Sequence, residues 1–307
     1  MKGVFMVKNK KPFALVIIFL LTMTFGVLLS VSSSFADDTK AKENFNTALK
    51  LEKEGKLEDA LMAYKVCVNL DPNYIDAYIN MGAIYFQKNQ YDEALSVYKK
   101  VTEKDKKNVT AFENLGKVQY ALRKYAEAEI SFKTAINLDN KNTDLYKELG
   151  KVYYKKHNYK EVIQTLTKYH ELGGSDYIAY FMLGRAYEKT DKPMKVIEAL
   201  KKSIQLKKNF YSSYSALGQI YLSQEKYINA AKAFKQALKV SPKKYRAAYN
   251  YAIAVESNNP KDYAINIKNW TKFVTLAKKY PRAKQDVAVA EQHIKDLKKA
   301  QKAASLQ

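Results

Sequence analysis

The sequence predicts an all-α protein, a solenoid of antiparallel helix pairs closed by a C-terminal capping helix. Three observations predict it. Gly82, Gly116, Gly150, Gly184 and Gly218 recur every 34 residues, and one further step either way lands on the small residues Ala48 and Ala252; a fixed period of that length marks stacked repeats. Apolar residues flank each glycine at helical offsets. Glycine and proline number only 10 and 6 in 307 residues, so little interrupts long helices.

The N-terminal segment carries Lys2, Lys8, Lys10 and Lys11, then an apolar run of 19 residues from Phe13 to Val31, then SSSFADD. Ser34 and Ala36 suit the small-residue positions before a cut after Ala36, so residues 1–36 read as a signal peptide. The run is also long enough to remain as an N-terminal membrane anchor. Basic residues precede it and acidic ones follow, which places the rest of the chain outside in either case. The expected location is the periplasm or the extracytoplasmic face of a bacterial inner membrane. Cys67 is the single cysteine, so no intramolecular disulfide forms and no lipid-anchoring cysteine lies near the cut.

The repeat units read 41–74, 75–108, 109–142, 143–176, 177–210 and 211–244, with a divergent seventh at 245–281. Four residues before the glycine column stand Tyr78, Phe112, Tyr146, Tyr180 and Tyr214; one before it, Met81, Leu115, Leu149, Leu183 and Leu217. Three after it stand Tyr85, Tyr153, Tyr187 and Tyr221, with Gln119 as the exception. These offsets share one face of a first helix. Twelve after the column come Ala60, Ala94, Ala128, Val162, Val196 and Ala230; sixteen after it, Tyr64, Tyr98, Phe132, Leu166, Leu200 and Phe234. These lie on one face of a second helix. Acidic residues open that helix at Glu58, Asp59, Asp92, Glu93, Glu127 and Glu161, where they suit the N-terminal dipole. Pro193 takes a first-turn position in another copy, where proline is tolerated. A glycine inside a helix costs about 1 kcal/mol relative to alanine. The expected compensation is close helix packing, glycine on one helix against alanine on the other.

In the seventh unit, extra residues around SNNPKD delay the second-helix core columns by about two places, to Trp270 and Phe273. Beyond Pro281, the residues Val287, Ala290, Ile294 and Leu297 make one apolar stripe on a charged helix. Residues 282–307 therefore read as a capping helix with a frayed tail.

These columns resemble the tetratricopeptide repeat (TPR) family, whose 34-residue unit carries an aromatic, a Leu-Gly pair, a Tyr, then an Ala, an aromatic and a Pro. The resemblance covers residues 41–281. It implies a right-handed superhelical solenoid with a concave face built from the first helices. Pro72 and Pro242 match the terminal proline; Lys106, Asn140, Gly174 and Lys208 replace it elsewhere.

Chemistry of the catalytic kind needs converging acids, bases or ligands. His157, His170 and His293 lie in different units without ligand spacing, and Cys67 sits in a column of small core residues. The chain reads as a non-enzyme, with no cofactor, metal, small-molecule substrate or nucleic-acid partner expected. On the first helices, one position past the glycine column, stand Ala83, Lys117, Lys151, Arg185 and Gln219; four past it stand Phe86, Tyr120, Tyr154, Glu188 and Leu222. Lys147 joins the basic row from one turn earlier, and Ile79 faces the same side. The expected groove therefore comprises Ile79, Ala83, Phe86, Lys117, Tyr120, Lys147, Lys151, Tyr154 and Arg185. A basic row beside an aromatic row suits an extended, acidic polypeptide. Asn46, Asn80 and Asn114 occupy one column of the family's carboxylate clamp, but the accompanying lysines are missing.

The whole chain carries a formal charge of +22. Between Lys261 and Lys302, 11 Lys/Arg face 4 Asp/Glu. That excess suits an anionic envelope polymer or membrane surface, or it is a solvated face. Two readings remain open on the sequence: a scaffold that binds a protein or peptide in its groove, and a direct binder of an anionic envelope surface.

Overall fold

The structure, a computed structural model, describes residues 37–306. The signal-peptide or anchor segment, 1–36, lies outside them. The described residues form 15 α-helices and one 3-10 turn, with no strand. They fall into two compact units, one ending at Leu138 and the other beginning at Asp139.

The first unit holds α1 (37–53), α2 (Leu57–Leu70), α3 (Ile75–Gln87), α4 (Tyr91–Lys104), α5 (Val109–Ala121) and α6 (Tyr125–Leu138). The second holds α7 (Thr143–Lys155), α8 (Tyr159–Glu171), α9 (Tyr177–Lys189), α10 (Pro193–Leu206), α11 (Tyr211–Ser223), α12 (Tyr227–Val240), α13 (Tyr245–Asn258) and α14 (Tyr263–Ala277). The 3-10 turn Pro281–Ala283 then leads into α15, Lys284–Ala304. Within each unit every helix packs on the next, and alternate helices meet along one side: α3 with α5, α7 with α9, α9 with α11, and α11 with α13. The helices α3 and α5 in the first unit, and α7, α9, α11 and α13 in the second, thus line an inner face. No helix among the described residues is long and apolar enough to cross a membrane.

The turn inside each pair has a physical cause that repeats. Gly55, Asn89, Arg123, His157, Asp191 and Glu225, each seven residues past the glycine column, adopt φ between 52° and 76°. The next residue's N–H returns to a carbonyl five back: Gln90 N to Tyr85 O at 2.8 Å, Lys124 N to Gln119 O at 2.8 Å, Lys226 N to Tyr221 O at 2.9 Å. This is a Schellman closure, which reverses the chain in two residues and satisfies the last carbonyls of the first helix. Tyrosine opens the second helix at Tyr91, Tyr125, Tyr159, Tyr227 and Tyr263, and Pro193 does so in α10.

The glycine column makes room for a partner other than the expected alanine. A Cβ at Gly82 would lie 2.6 Å from the Tyr98 ring, and one at Gly116 or Gly218 would meet Phe132 or Phe234 at 2.9 and 2.7 Å. At Gly150 and Gly184 the neighbours are Leu166 and Leu200, at 2.3 and 3.1 Å. The glycines are therefore notches for the large residue sixteen places on. Ala60, Ala94, Ala128 and Ala230 are fully buried, one turn away from that contact.

In the seventh unit the two-residue delay holds. Asn266 takes the buried alanine column, Trp270 the ring column, and Phe273 is fully buried. The stripe of α15 packs on this end, with Val287, Ala290 and Leu297 buried and Ile294 half-buried in the same cluster.

Candidate functional site

The expected groove residues lie on first helices and are distributed between the two units. In the first unit, Ala83 is exposed, while Ile79 and Phe86 are half-buried against the core. The Ile79 carbonyl accepts from the Tyr98 hydroxyl at 3.3 Å. Phe86 packs on Tyr91 at a centroid distance of 5.4 Å, and Tyr120 packs on Tyr125 at 5.6 Å. In the second unit Tyr154 packs on Tyr159 at 6.4 Å. The aromatic row therefore braces the turns into α4, α6 and α8 as well as facing the inner side.

The basic row is not a free positive stripe. Lys117 pairs with Glu113 at 2.5 Å, Lys147 with Asp144 at 2.6 Å, Lys151 with Glu148 at 2.6 Å and Arg185 with Glu188 at 2.5 Å. Each carboxylate sits three or four residues away on the same helix, the spacing at which helical side chains meet. Arg185 also hydrogen-bonds the Tyr154 hydroxyl; burial lifts that phenol above its usual range and the guanidinium opposes the lift. Around Lys147 burial works against the charge, and Asp144 more than offsets it, so the ammonium is held more firmly protonated than usual. The expectation of an acidic partner rested on this basic row beside the aromatic row, and each of its four cations pairs within its own helix.

Asn80, in the clamp column, is also engaged by the framework. Its Nδ2 donates to the Tyr64 hydroxyl at 3.0 Å, and that hydroxyl donates to Glu52 at 3.0 Å. Burial pushes the Cys67 thiol up to about 11, away from the thiolate that nucleophilic chemistry requires. His157 is a turn residue beside Tyr159, and His170 stacks on Tyr180 at 3.8 Å.

The second unit has a hollow that the column reading missed. About 410 Å³ in volume, it lies between α11, α13, α14 and α15. Tyr211, Ser215 and Gln219 come from α11, Tyr245, Arg246, Tyr249 and Asn250 from α13, Phe273 from α14 and Asp286 from α15. Tyr249 is held edge-on to Trp270 and Phe273, at 5.4 and 5.0 Å. A signal existed in the sequence: 211, 215 and 219 are successive inner positions of one helix. The contribution of Asp286 was not readable there, because it depends on where α15 docks. That docking is polar as well as apolar. Glu256 accepts from the Trp270 indole N–H at 2.6 Å and meets His293 of α15 at 2.9 Å.

The geometry defines a class first: stacked helix pairs with an inner face of rings and paired charges, and no converging nucleophile, base and acid among the described side chains. Models described as "TPR repeat" match residues 51–88 and 82–123, and models described as "Tetratricopeptide repeat" match 109–142, 177–210 and 215–265. The chain belongs to the tetratricopeptide repeat superfamily. Among solved structures it is similar to the C-terminal part of a TPR repeat-containing protein from Cytophaga hutchinsonii, with 20% identity, TM-score 0.64, and coverage of 78% of this chain and 98% of that one. It is similar to YrrB, described as a TPR protein with an unusual peptide-binding site, with 18% identity, TM-score 0.55, and coverage of 65% and 97%. It is also similar to a tetratricopeptide repeat protein from Parabacteroides merdae, with 15% identity, TM-score 0.57, and coverage of 82% and 99%. At these identities the likeness concerns the fold. No curated protein matches the sequence.

Proposed function

We propose that this protein is a non-catalytic scaffold of the cell envelope that holds a segment of another protein against the inner face of its repeats. The observation that supports this reading best is the hollow lined by Tyr211, Tyr245 and Tyr249 together with Arg246 and Asp286. Its volume is in the range of small-ligand sites. Tyrosine and arginine are the side chains that most often anchor binding partners. The charges there are of both signs, and the basic row on α5, α7 and α9 is already paired, so the partner segment need not be acidic overall. A peptide carrying an apolar or aromatic anchor beside one charged group fits best. The peptide-binding site named for YrrB is that protein's property and gives the reading an analogy.

Export to the envelope is part of the proposal and rests on residues 1–36. Cell fractionation with N-terminal sequencing tests it: a mature chain beginning at Asp37, or a membrane-bound chain with its bulk outside, is the expected result. A cytoplasmic chain that keeps Met1 rejects it. For the inner face, the partner captured from envelope extracts is titrated against variants. Arg246→Glu combined with Tyr249→Ala should weaken binding by about tenfold or more, the loss of roughly 1.4 kcal/mol. Undiminished binding by that double variant rejects the hollow as the site.

A second reading has its own observation, the excess of 11 Lys/Arg over 4 Asp/Glu between Lys261 and Lys302. It makes the chain a direct binder of an anionic envelope polymer or membrane. Moderate salt should weaken that mode steeply and leave an apolar-anchored complex largely intact.

A further inference from the structure

The second helices of the C-terminal unit carry a trough with a different chemistry from the inner face. One part is a hollow of about 770 Å³ between α12 and α14. Lys235 and Lys239 line it from α12, Lys268 and Lys272 from α14, and no carboxylate lines it. None of these four lysines has an ion-pair partner among the described residues, in contrast to Lys117, Lys147, Lys151 and Arg185. Each pair is spaced i,i+4 on its helix, where like charges repel. Such an arrangement favours a counter-charge from outside.

Two further observations point to a ligand. Asn269 lines the same hollow, and its Nδ2 is buried without a hydrogen-bond acceptor in the protein. Buried donors are nearly always paired, so an unpaired one marks a place where an acceptor belongs. The hollow also continues into a second one of about 340 Å³, which shares Lys235, Tyr251 and Ile265 with it. This second part is lined by Ile228, Ala231 and Val255 together with Lys232, Asn258 and Asn259, and Ile228 and Ile265 are 56% and 47% exposed. Its one carboxylate, Asp262, is occupied in capping α14, accepting from Ile265 N at 3.2 Å. Four lysines thus line one end of the trough, and the other end joins an apolar wall of Ile228, Ala231 and Val255 to one further lysine, Lys232.

We propose that this trough binds an anionic phospholipid, with the phosphate among the lysines and Asn269 and the start of an acyl chain along Ile228, Val255 and Ile265. Lysines gathered at one end beside an apolar wall match a single amphiphile, whereas an acidic peptide would spread its carboxylates along the trough. A free phosphate would leave the apolar part exposed. The site is separate from the inner face, and it narrows the basic-surface reading to one place.

Calorimetry on the purified full chain tests the proposal with three probes: dihexanoyl-phosphatidylglycerol below its micelle concentration, dihexanoyl-phosphatidylcholine and glycerol phosphate. The first should bind about tenfold or more tightly than either of the others. Lys235→Gln with Lys268→Gln and Lys272→Gln should weaken it by about tenfold. A charge-matched control, Lys99→Gln with Lys106→Gln and Lys107→Gln in the first unit, should stay within about twofold. Ile228→Asn, which adds no charge and lies outside the four-lysine hollow, should weaken the lipid and leave glycerol phosphate unchanged. The proposal is overturned if glycerol phosphate binds as tightly as the lipid, or if the zwitterionic lipid does. It is overturned equally if the control triple variant loses as much as the site variant, which leaves diffuse charge alone. Absence of binding by the wild-type chain overturns this proposal and leaves both the basic-surface reading, which includes an envelope polymer, and the inner-face reading untouched. Circular-dichroism melts of the variants confirm that binding losses come from folded protein.

Discussion

The first six repeats and the seventh solve the same packing problem differently. In the first six, the residue seven past the small-residue column is left-handed and closes a Schellman turn. In repeats two to six a glycine notch receives a ring or a leucine from the second helix. In the seventh, Asn259 has φ −144° and the turn is longer. Ala252 stands in the notch column, Asn266 in the alanine column, and Trp270 in the ring column, its indole bonded to Glu256. Where the columns repeat, most side chains are committed to framework, and the charged ones of the inner row pair within their own helix. Where the columns break, polar groups reach other elements: Glu256 reaches His293 of α15, Asp286 reaches the inner hollow, and Asn269 is left without a partner. Sites that differ from the repeat are thus the better places to look for binding.

The largest effect that tests this division lies in the notch. Tyr98 is 1% exposed and its rigid ring would meet a Cβ at Gly82 at 2.6 Å, whereas at Gly184 the contact is 3.1 Å to the flexible end of Leu200. Gly82→Leu should lose about 3 kcal/mol, the upper range of overpacking costs. Gly184→Ala should stay within about 1 kcal/mol of wild type, because the gain in helix propensity offsets a small shift of Leu200. Urea denaturation measures both. Equal losses at the two sites would show that the notch serves the backbone alone, and the ring account would fail.

The plan of antiparallel helix pairs was readable from residues alone because it rests on local rules. A 34-residue period, helical offsets and a proline at the start of α10 need no knowledge of distant contacts. What faces the glycines was not readable that way. Offsets of twelve and sixteen both lie on the inward face of the second helix, and only the helix crossing decides which one enters the notch. The ion pairs of the basic row were within reach: Glu113, Glu148 and Glu188 stand three or four residues from Lys117, Lys151 and Arg185. Comparing equivalent positions across repeats hid a pairing that runs along each helix. The inner hollow depends on how α14 and α15 dock after the insertion, and the trough on how α14 docks, which no column records.

A smaller effect sharpens the comparison at the turns. Arg123 and Glu225 hold φ near 61° and 58°, a conformation that costs a non-glycine residue about 1–2 kcal/mol. Arg123→Gly or Glu225→Gly should therefore stabilise the chain by about 0.5–1 kcal/mol after the added freedom of the unfolded glycine is counted. The same change at Asn259, whose φ is already accessible to any residue, should stabilise nothing. Melting curves of the three variants decide it, and a gain at Asn259 equal to that at Arg123 would remove the turn from the argument.

The smallest effect comes from a break within the fourth repeat, where Gly173 and Gly174 end α8 in place of the family's proline. His170 Nδ1 sits 2.8 Å from the Gly174 carbonyl, to which it donates, and Nε2 is buried without a partner. Burial lowers the imidazole pKa below its ordinary value; the Gly174 carbonyl and Asp176 pull the other way and do not cancel it. Between the depressed folded pKa and the unfolded value near 6.5, the unfolded chain binds more protons than the folded one. Stability from this group is therefore complete above about pH 6.5 and declines as pH falls through the folded pKa. The ring is half-buried, so solvent screens the effect and the loss should be modest. Replacing His170 with Phe keeps the stack on Tyr180 and removes the titration, so the slope of stability against pH below 6.5 should flatten in that variant. If wild type and His170→Phe share one slope, the histidine titrates alike in both states, and the break after α8 is a loop change with no electrostatic consequence.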